Sequence, residues 1–359
     1  MDERQHYYIN GIGIISPQKT FEHDQFLQEI CAYESNVLTC IIPSFKTYIS
    51  PGQLRRLSRM HRIGLTAATM CLRDANVQVP DGIITASGYG FLEETEKFLT
   101  EMLERNEKQL TPTYFIQGTY NALAGLIALS TKCLGYNNTY VSKGFAFENA
   151  LHDVMLQLSE NSTSNFLVGS SDEAAKVLYA IGMRAQYYKV ENIPNLKLFD
   201  SQTTGTIQGE GSAFFMVSGA PSATTWCAIK DLQMVYTPQH EGEFNLALTS
   251  FLEVNKIKLS EIDVWVSGAS GNIEHDHLLH HLEKTVLQQT PQIRFKHLCG
   301  EYCTAVSFGL WIGASILKKQ SIPDILKVST PEFSLEKIET VLIVNQYLNR
   351  NYSFVLLKK

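Results

Sequence analysis

The sequence predicts an α/β fold with a mixed or parallel sheet, because short β-rich apolar segments alternate with longer segments of helical periodicity. The 359 residues exceed the length of one typical domain and can bury a large core. Hydrophobic residues make up 44% of the chain and charged residues 18%, which is the balance of a globular protein and not of a disordered one.

Each expected element follows from the local pattern. In the longest helical segment, apolar residues recur at three- and four-residue steps from Arg55 to an aspartate, Asp74, near its end. The expected strands are Tyr7–Ile15, Gly82–Ala86, Asn165–Val168, Ser212–Val217, Ala228–Gln233, Val264–Ser267, Thr340–Val344 and Tyr352–Leu357. The expected helices are Leu54–Asp74, Glu94–Asn106, Asn121–Leu134, Glu148–Leu158, Glu243–Val254, His275–Gln288 and Ala305–Lys318.

Bulk properties exclude several classes of function. A net charge of −6 argues against general nucleic-acid binding. Seven cysteines without a repeated spacing indicate reduced thiols in a cytoplasmic protein. The segment Met1–Gln5 is not apolar, so no signal peptide is expected. No stretch reaches the roughly 18 apolar residues of a membrane span.

Several short motifs follow one another in an informative order. They are Tyr8–Pro17, Arg55–Met60, Pro112–Gly125, Gly135–Ser142, Phe166–Glu173, Leu198–Asp200, Gly205–Ala213, Asp263–Ser270 and Lys296–Glu301. In this order they resemble motifs of the β-ketoacyl-acyl carrier protein synthases, or ketosynthases. Among them are the approach to the catalytic cysteine, the Phe-Asp…Gly-Glu-Gly-Ala segment, and the sites of the His-Gly-Thr and Lys-x-x-x-Gly-His motifs. Each motif is weak alone, and their shared order makes the resemblance specific.

The resemblance implies a thiolase-like fold, in which two duplicated halves form five layers, αβαβα. The loop from Gly219 to Ala223 lies about two-thirds of the way along the chain and has turn-forming residues. We therefore expect an N-terminal half over residues 1–220 and a C-terminal half over residues 221–359.

The departures from the family fall on the catalytic positions. The cysteine is replaced by Phe145, the first histidine by Gly268 and the second by Glu301, whereas Lys296 is retained. One residue earlier, Gly144 is the alternative register for the cysteine, and it also offers no nucleophile. The family's C-terminal Gly-Phe-Gly-Gly loop reads Leu348-Asn349-Arg350-Asn351 here.

These replacements remove the chemistry of condensation. The thiolate that would hold the acyl chain is missing, and so are the donors that stabilise the enolate and the oxyanion. One such donor contributes roughly 3–4 kcal/mol. Relatives that only decarboxylate malonyl groups replace the cysteine by glutamine and keep both histidines, and this chain has neither feature. Relocated nucleophiles remain an alternative, with Ser142, Lys143, Cys299 and Cys303 as candidates and structural roles as the simpler interpretation.

The resemblance is closest to the chain-length factors, which are silent ketosynthase-like subunits that pair with an active ketosynthase. It implies a heterodimer, an acyl carrier protein as second partner and no cofactor. A homodimer is possible without the partner. Tyr114, Phe115, Gln117 and Tyr120 are the candidates for the acyl tunnel and interface, or for simple packing. Arg55, Arg56, Arg59 and Arg62 are the candidates for carrier-protein contacts, or for a solvated helix face.

Three functions stay open at this stage. The first is a non-catalytic chain-length factor of an aryl polyene or flexirubin-like type II system. The second is an atypical β-ketoacyl synthase or acyltransferase with relocated catalytic residues, and the third is a silent homodimeric acyl-binding protein. A metal site at His277 and His281, one helical turn apart, is weaker than a solvated helix start, so no metal is expected.

Overall fold

A computed structural model of the chain describes residues 7–22, 25–328 and 337–359. The segment Met1–Gln5, where no signal peptide is expected, lies outside them. The strands are β1 (Tyr7–Ile15), β2 (Gly82–Ser87), β3 (Tyr136–Val141), β4 (Asn165–Asp172), β5 (Gly211–Ser218), β6 (Cys227–Tyr236), β7 (Val264–Gly268), β8 (Gln292–Arg294), β9 (Thr340–Tyr347) and β10 (Asn351–Lys358). The helices are α1 (Pro51–Leu54), α2 (Arg59–Asp74), α3 (Leu92–Glu104), α4 (Pro112–Gly118), α5 (Ala122–Thr131), α6 (Ala146–Glu160), α7 (Lys176–Arg184), α8 (Glu241–Val254), α9 (His277–Lys284), α10 (Lys296–Cys299) and α11 (Val306–Lys319).

The strand order shows the duplication. The described strands form one mixed sheet in the order β3-β2-β4-β5-β1-β6-β10-β9-β7-β8. Strands β1 to β5 form one half of this sheet and β6 to β10 the other. From the outer edge of each half inward, the first two strand pairings are parallel and the next two are antiparallel. The halves meet where β1 pairs with β6 over Tyr7–Ile9. Residue 220 falls in the connection between β5 and β6, and the division there stays a prediction.

The core explains the five layers. Successive strand residues point to opposite faces, so Ile84 packs in the central cluster while its neighbour Ile83 packs in an outer one. The central cluster contains α6 and α11 together with residues of both sheet halves. One outer cluster joins α2 and α5 to the first half, and the other joins α8 and α9 to the second. The order is therefore helices, sheet, central helices, sheet, helices, as expected.

Most predicted elements are found, and the boundaries differ by a few residues. One prediction was wrong: the expected helix Leu54–Asp74 is two helices, because the chain turns at Arg55–Ser58 before α2 begins. Ser58 caps α2, and its side chain accepts a hydrogen bond from the His61 backbone N–H at 3.4 Å. Sequence reasoning had no strand at β3 or β8 and no helix at α4, α7 or α10.

The missed strand β3 has a physical explanation. All its residues except Val141 are polar or aromatic, and all are exposed or half-buried. The strand lies at the end of the sheet, where the apolar alternation of a buried strand is not required. The helices α10 and α4 are only four and seven residues long, too short for periodicity to identify. Among the described residues, no helix is long and apolar enough to cross a membrane.

The two central helices determine where a site can form. Helix α6 follows β3 and α11 follows β8, so their N-termini occupy equivalent places in the two halves. In α11 every residue from Val306 to Leu317 is buried. Phe145 immediately precedes α6, and Glu301 lies five residues before α11. Two of the three positions predicted to depart from the family pattern, Phe145 and Glu301, therefore lie at the starts of the central helices, whereas Gly268 is the last residue of β7.

The close approach of α2 to β1 gives a test of the packing. A methyl group at Gly13 would lie 2.0 Å from the Ala67 carbonyl oxygen and 2.4 Å from the Cys71 nitrogen, both backbone atoms of α2. We expect Gly13→Ala to lower the free energy of unfolding by roughly 1–3 kcal/mol, measured by urea denaturation. Gly52→Ala is the control, because nothing lies within 4 Å of its added methyl. Equal stability of the two variants would contradict the packing described here.

Candidate functional site

The turn in which the sequence predicts the place of the family's cysteine leads into α6. Lys143–Phe145 forms a single 3-10 turn, in which Gly144 is buried. The Cα of Gly144 lies against Tyr347, and a methyl group added there would be 2.6 Å from the tyrosine ring. Phe145 is half-buried, and its ring centroid lies 6.4 Å from that of Tyr236. In either register the side chain at this position offers no nucleophilic atom.

The place of the first histidine is closed by a neighbouring strand. Gly268 is the last residue of β7 and pairs with Asn345 of β9. A methyl group at Gly268 would lie 2.4 Å from Asn345 Oδ1 and 2.7 Å from its Cα. Because a backbone atom limits the space, a histidine side chain does not fit here without moving β9.

The place of the second histidine holds a buried ion pair. Lys296 Nζ donates to Glu301 Oε2 at 2.7 Å and to the Gln346 carbonyl oxygen at 2.6 Å. Both side chains are almost fully buried. Burial raises the pKa of Glu301 to about 7, and the Lys296 ammonium offsets part of this rise. Lys296 therefore compensates the buried carboxylate of Glu301, at the position where the sequence predicts the family's second histidine.

A second buried carboxylate, which sequence reasoning missed, lies beside this pair. Glu148 is in the first turn of α6 and accepts a hydrogen bond from Ser353 Oγ at 2.8 Å. Its other oxygen has no partner within the described residues. Burial raises the pKa of Glu148 to about 7, with Ser353 opposing the shift. A glutamate between Phe147 and Ala150 of a buried helix was the available sequence signal.

A narrow cleft opens next to these positions. Its cavity volume is only about 40 Å³, and the space around it opens to solvent. Tyr89, Tyr188 and Tyr347 form aromatic walls, and Gln208 and Glu301 are also among its lining residues. Clefts with apolar walls and few polar groups are the usual form of a small-molecule site. The structure thus brings Glu301 to a cavity, whereas Gly268 does not line it.

The candidate replacement nucleophiles are poorly activated. Burial raises the pKa of the Cys299 and Cys303 thiols well above the ordinary value. Cys303 lines the cleft and donates to Tyr347 Oη at 3.2 Å, whereas Cys299 donates to the Gly300 carbonyl oxygen at 3.2 Å. Lys143 is exposed, with Nζ 6.0 Å from the centre of the Tyr89 ring. All seven cysteines are free thiols.

The tunnel and interface candidates are close together on α4 and just after it. Phe115 and Tyr120 are 58% and 60% exposed, and the Phe115 ring packs at 5.3 Å from Phe98. Tyr114 is half-buried, with Lys97 Nζ 5.9 Å from its ring centre. Gln117 is buried and accepts from the Ser58 N–H at 2.6 Å, which ties α4 to the start of α2. Their assignment to a tunnel stays a prediction.

The four arginines have different surroundings. Arg55 and Arg56 are exposed in the turn before α2, and Arg62 is half-buried. Arg59 binds both oxygens of the buried Glu210, with Nη1 at 2.8 Å from Oε2. This pairing raises the pKa of Arg59. Arg59 thus contributes an internal ion pair, and the exposed pair is the part of the set that is free to contact a partner.

The histidines at the start of α9 are engaged within the chain. His277 Nδ1 contacts the Glu274 carbonyl oxygen at 3.0 Å, and His281 Nδ1 lies 3.0 Å from Glu241 Oε2. In the described part of the chain, no group of three or more histidine, cysteine, aspartate or glutamate side chains could hold a metal ion.

Comparison with known proteins decides the family. A family model, the N-terminal domain of β-ketoacyl synthases, matches residues 16–223, more than half of the chain. The chain belongs to the β-ketoacyl synthase family. The matched range includes Phe145, whereas Gly268 and Glu301 lie beyond it. No curated protein matches the sequence.

Solved structures of this family share the fold of the chain. The ishigamide ketosynthase/chain length factor superposes with a TM-score of 0.79 at 14% identity, over 99% of both chains. A β-ketoacyl synthase from Burkholderia phymatum STM815 gives a TM-score of 0.74 at 14% identity, over 99% of this chain and 100% of the other. A type II polyketide ketosynthase in complex with its acyl-carrier protein gives 0.73 at 14% identity, over 99% of both chains. The thiolase-like fold of this family member is thereby confirmed.

The loop that replaces the family's C-terminal glycine motif is a tight hairpin. Leu348 and Asn349 have φ of 52° and 54°, and they connect β9 to β10. Asn349 is held on both sides, since its N–H donates to Gln346 Oε1 at 3.0 Å and its Oδ1 accepts from Tyr352 Oη at 2.5 Å. Side-chain bonds therefore stabilise a turn in which glycines are absent.

Glu148 gives a pH-dependent test of the buried carboxylates. Because burial raises the pKa of Glu148 from the ordinary glutamate value of 4.5 to about 7, the folded protein keeps a proton that the unfolded chain releases. Its contribution therefore lowers stability as pH rises from about 4.5 to 7. We expect Glu148→Gln, relative to wild type, to gain roughly 3 kcal/mol in the free energy of unfolding across that interval.

The measurement is urea denaturation at several pH values. Glu160→Gln, at the exposed end of the same helix, should show a difference from wild type that does not change with pH. A constant difference for Glu148→Gln as well would mean that Glu148 has the same pKa in the folded and unfolded chain, and would contradict the effect of burial described here.

Proposed function

We propose that this chain is a catalytically silent subunit of the chain-length-factor type, which pairs with an active β-ketoacyl synthase and shapes the tunnel for the growing acyl chain. The strongest support is the state of the three degenerate positions. Phe145 has no nucleophilic atom, Gly268 is closed by Asn345, and Glu301 is bound to Lys296. The frame of the family is intact around all three.

The electrostatics of the Glu301 position argue against condensation. A condensing enzyme must stabilise the negative charge that develops on the enolate and on the tetrahedral oxyanion. An ionised Glu301 would repel that charge. Its partner Lys296 is already used by two acceptors, Glu301 Oε2 and the Gln346 carbonyl oxygen. A protonated Glu301 would provide one donor but no nucleophile, so the covalent pathway would still be missing.

The edge of the first half supports pairing. Within the described residues β3 pairs only with β2, so its other side presents unpaired backbone groups. Apolar side chains are exposed on the neighbouring α4, α5 and connecting loops; they include Phe115, Ile116, Tyr120, Leu129 and Leu134. A monomer rarely leaves a free edge and a group of exposed apolar residues side by side. We therefore assign this surface, called the β3 face below, to the ketosynthase partner.

The proposed tunnel and carrier contacts lie near this face. Helix α4 carries Phe115 on its exposed side, and Gln117 anchors the helix to the arginine turn by donating to the Arg56 carbonyl oxygen. Arg55 and Arg56 are exposed in that turn and are the candidates for contact with an acidic carrier protein. Phe115 and Tyr120 are the candidates for limiting tunnel depth in the pair.

The substrate class follows from the relatives. One similar structure is an ishigamide ketosynthase/chain length factor, and another is a type II polyketide ketosynthase bound to a hexaketide. We extend the proposal to carrier-bound polyketide or polyene chains of the aryl polyene or flexirubin-like kind. The alternative, an atypical synthase or acyltransferase with relocated residues, is weakened by the raised pKa of the Cys299 and Cys303 thiols.

Pairing is tested by co-expression with an intact ketosynthase and acyl carrier protein from the same genome. We expect the two chains to co-purify, and malonyl-carrier-protein condensation to require both. Leu134→Asp, at a side chain that is 99% exposed, should weaken the pair by at least about tenfold in Kd, because an interfacial charge is left without a partner.

The matched control is Leu246→Asp on α8, where the side chain is 66% exposed but lies in the outer layer of the other half. It should leave pairing unchanged. Condensation by this chain alone, or a chain that never pairs, would refute the silent-subunit proposal. Equal weakening by both variants would refute the assignment of the β3 face.

Tunnel shaping is tested at Phe115. We expect Phe115→Ala to lengthen the products of the assembled pair by one or more condensation steps, because removing the ring opens space beside Phe98. Product length is measured by mass spectrometry of the released acyl chains. Leu246→Ala should not change it. An unchanged product distribution from a pair of normal stability would exclude Phe115 as a determinant of length.

A further inference from the structure

Helix α7 exposes apolar residues to solvent instead of burying them. Of its nine residues, all within the described part of the chain, Gly182 alone is buried. Val177, Ala180, Ile181 and Arg184 are three or four residues apart and share one side of the helix, where Val177 is half-buried and the other three are exposed. A surface helix ordinarily directs its apolar residues toward the core, so the arrangement here is inverted and requires an explanation.

The opposite side of α7 packs on the segment that follows the helix. A methyl group at Gly182 would lie 2.4 Å from the Tyr188 ring, and the Tyr179 ring stacks on Tyr188 with the centroids 5.1 Å apart. The chain turns back at Gln186, which has a φ of 60°, and the Tyr187 N–H donates to the Gly182 carbonyl oxygen at 2.8 Å. The inner side of α7 is therefore covered by its own return segment, whereas the outer side faces water.

Exposed apolar side chains continue beyond the helix. Ile181 is 56% exposed, Tyr187 is 40% exposed and Val190 is 83% exposed. We call the outer side of α7 together with residues 187–190 the α7 face. A tyrosine combines an apolar ring with a polar hydroxyl, and such side chains are typical of the boundary between an apolar phase and water.

The charge of this region is positive. Residues 174–190 contain three cations and no carboxylate, although the whole chain has a net charge of −6. Lys189 is buried and donates to two backbone carbonyl oxygens inside the protein. Lys176 and Arg184 are exposed at the two ends of α7, and neither forms an ion pair within the described residues. Cations beside exposed apolar residues are the pattern of a helix that lies on an anionic surface.

The size of the α7 face favours a lipid surface over a second protein. A helix of nine residues is about 14 Å long and about 10 Å across, so its outer side covers roughly 150 Å² in projection. A stable protein interface buries about 800 Å² on each partner. Attachment to a membrane requires less area, because a few apolar side chains enter the acyl boundary while cations contact the head groups.

We infer that α7 is a docking element for membranes that contain anionic lipids. Ile181 enters the boundary between head groups and acyl chains, and Lys176 and Arg184 contact the head-group phosphates. One short helix with two cations gives a weak, reversible attachment that salt screens. The α7 face shares no residue with the β3 face, so this inference goes beyond the function proposed above and does not depend on it.

Co-sedimentation of the full chain with lipid vesicles tests the inference. We expect the partition coefficient on phosphatidylglycerol vesicles to exceed that on phosphatidylcholine vesicles by at least about tenfold, because only the former are anionic. The binding should fall by at least about tenfold when the salt concentration rises from about 0.01 M to about 1 M. Equal binding to the two lipids, or no binding to either, would overturn the inference.

A pair of variants with the same net charge locates the contact. Ile181→Asp should lower the partition coefficient on phosphatidylglycerol vesicles by at least about tenfold, because the apolar side chain is replaced by a charge that the head groups repel. Leu246→Asp on α8, where the side chain is 66% exposed, is the control and should leave binding unchanged. Equal losses would show that only net charge matters, and would refute a contact through α7.

The two cations are tested separately from the apolar contact. A double variant, Lys176→Gln with Arg184→Gln, should bring the two lipids to within about threefold of each other. The control with the same change in net charge is Lys256→Gln with Lys258→Gln, at two exposed positions after α8, and it should keep the preference. Equal effects of the two double variants would contradict the inference.

Pairing with the ketosynthase is measured on the same Ile181→Asp protein. We expect this variant to pair normally, because α7 lies outside the β3 face. A variant that binds phosphatidylglycerol vesicles as wild type does, but no longer pairs, would assign α7 to a protein interface and refute the membrane contact.

Discussion

The central pair of helices is the constraint on which the rest of this molecule depends. Helix α11 is buried along its length, and α6 buries most of its residues, because both lie between two sheet halves. The buried faces of such helices must be apolar, and a polar residue on a buried face requires a partner inside the protein. The five layers and the location of Phe145 and Glu301 follow from this arrangement.

At the starts of these helices the protein holds charge without arranging it for catalysis. Lys296 and Glu301 form a buried pair, and Glu148 adds a carboxylate that Ser353 satisfies only in part. Taking charges out of water costs several kcal/mol per ion, and a pair repays this only when its geometry is good. Lys296 meets that condition with two acceptors. Its charge is therefore used for structure and is not available to a developing anion.

The interior and the surface of the first half are used in opposite ways. Inside, Gly13 and Gly144 allow contacts so close that an added methyl would clash with a neighbouring element. Outside, β3 leaves one side unpaired, and apolar residues on α4 and α5 are exposed. A tightly packed interior beside an unpaired strand edge fits a subunit that acts by pairing with another protein. This is the basis of the proposed function.

The sequence by itself determined the family, the fold class and the strands with apolar residues, because buried strands and a run of ordered motifs leave a local signature. It also predicts that Phe145, Gly268 and Glu301 replace the family's catalytic residues. Only the tertiary structure decided what surrounds them, since Asn345, Gln346 and Ser353 approach from strands far along the chain. It also revealed β3, whose polar edge position removes the alternation, and Glu148, whose burial depends on packing. These features depend on contacts between residues that are far apart in the chain. No local sequence pattern contains such contacts, so only the tertiary structure could reveal them.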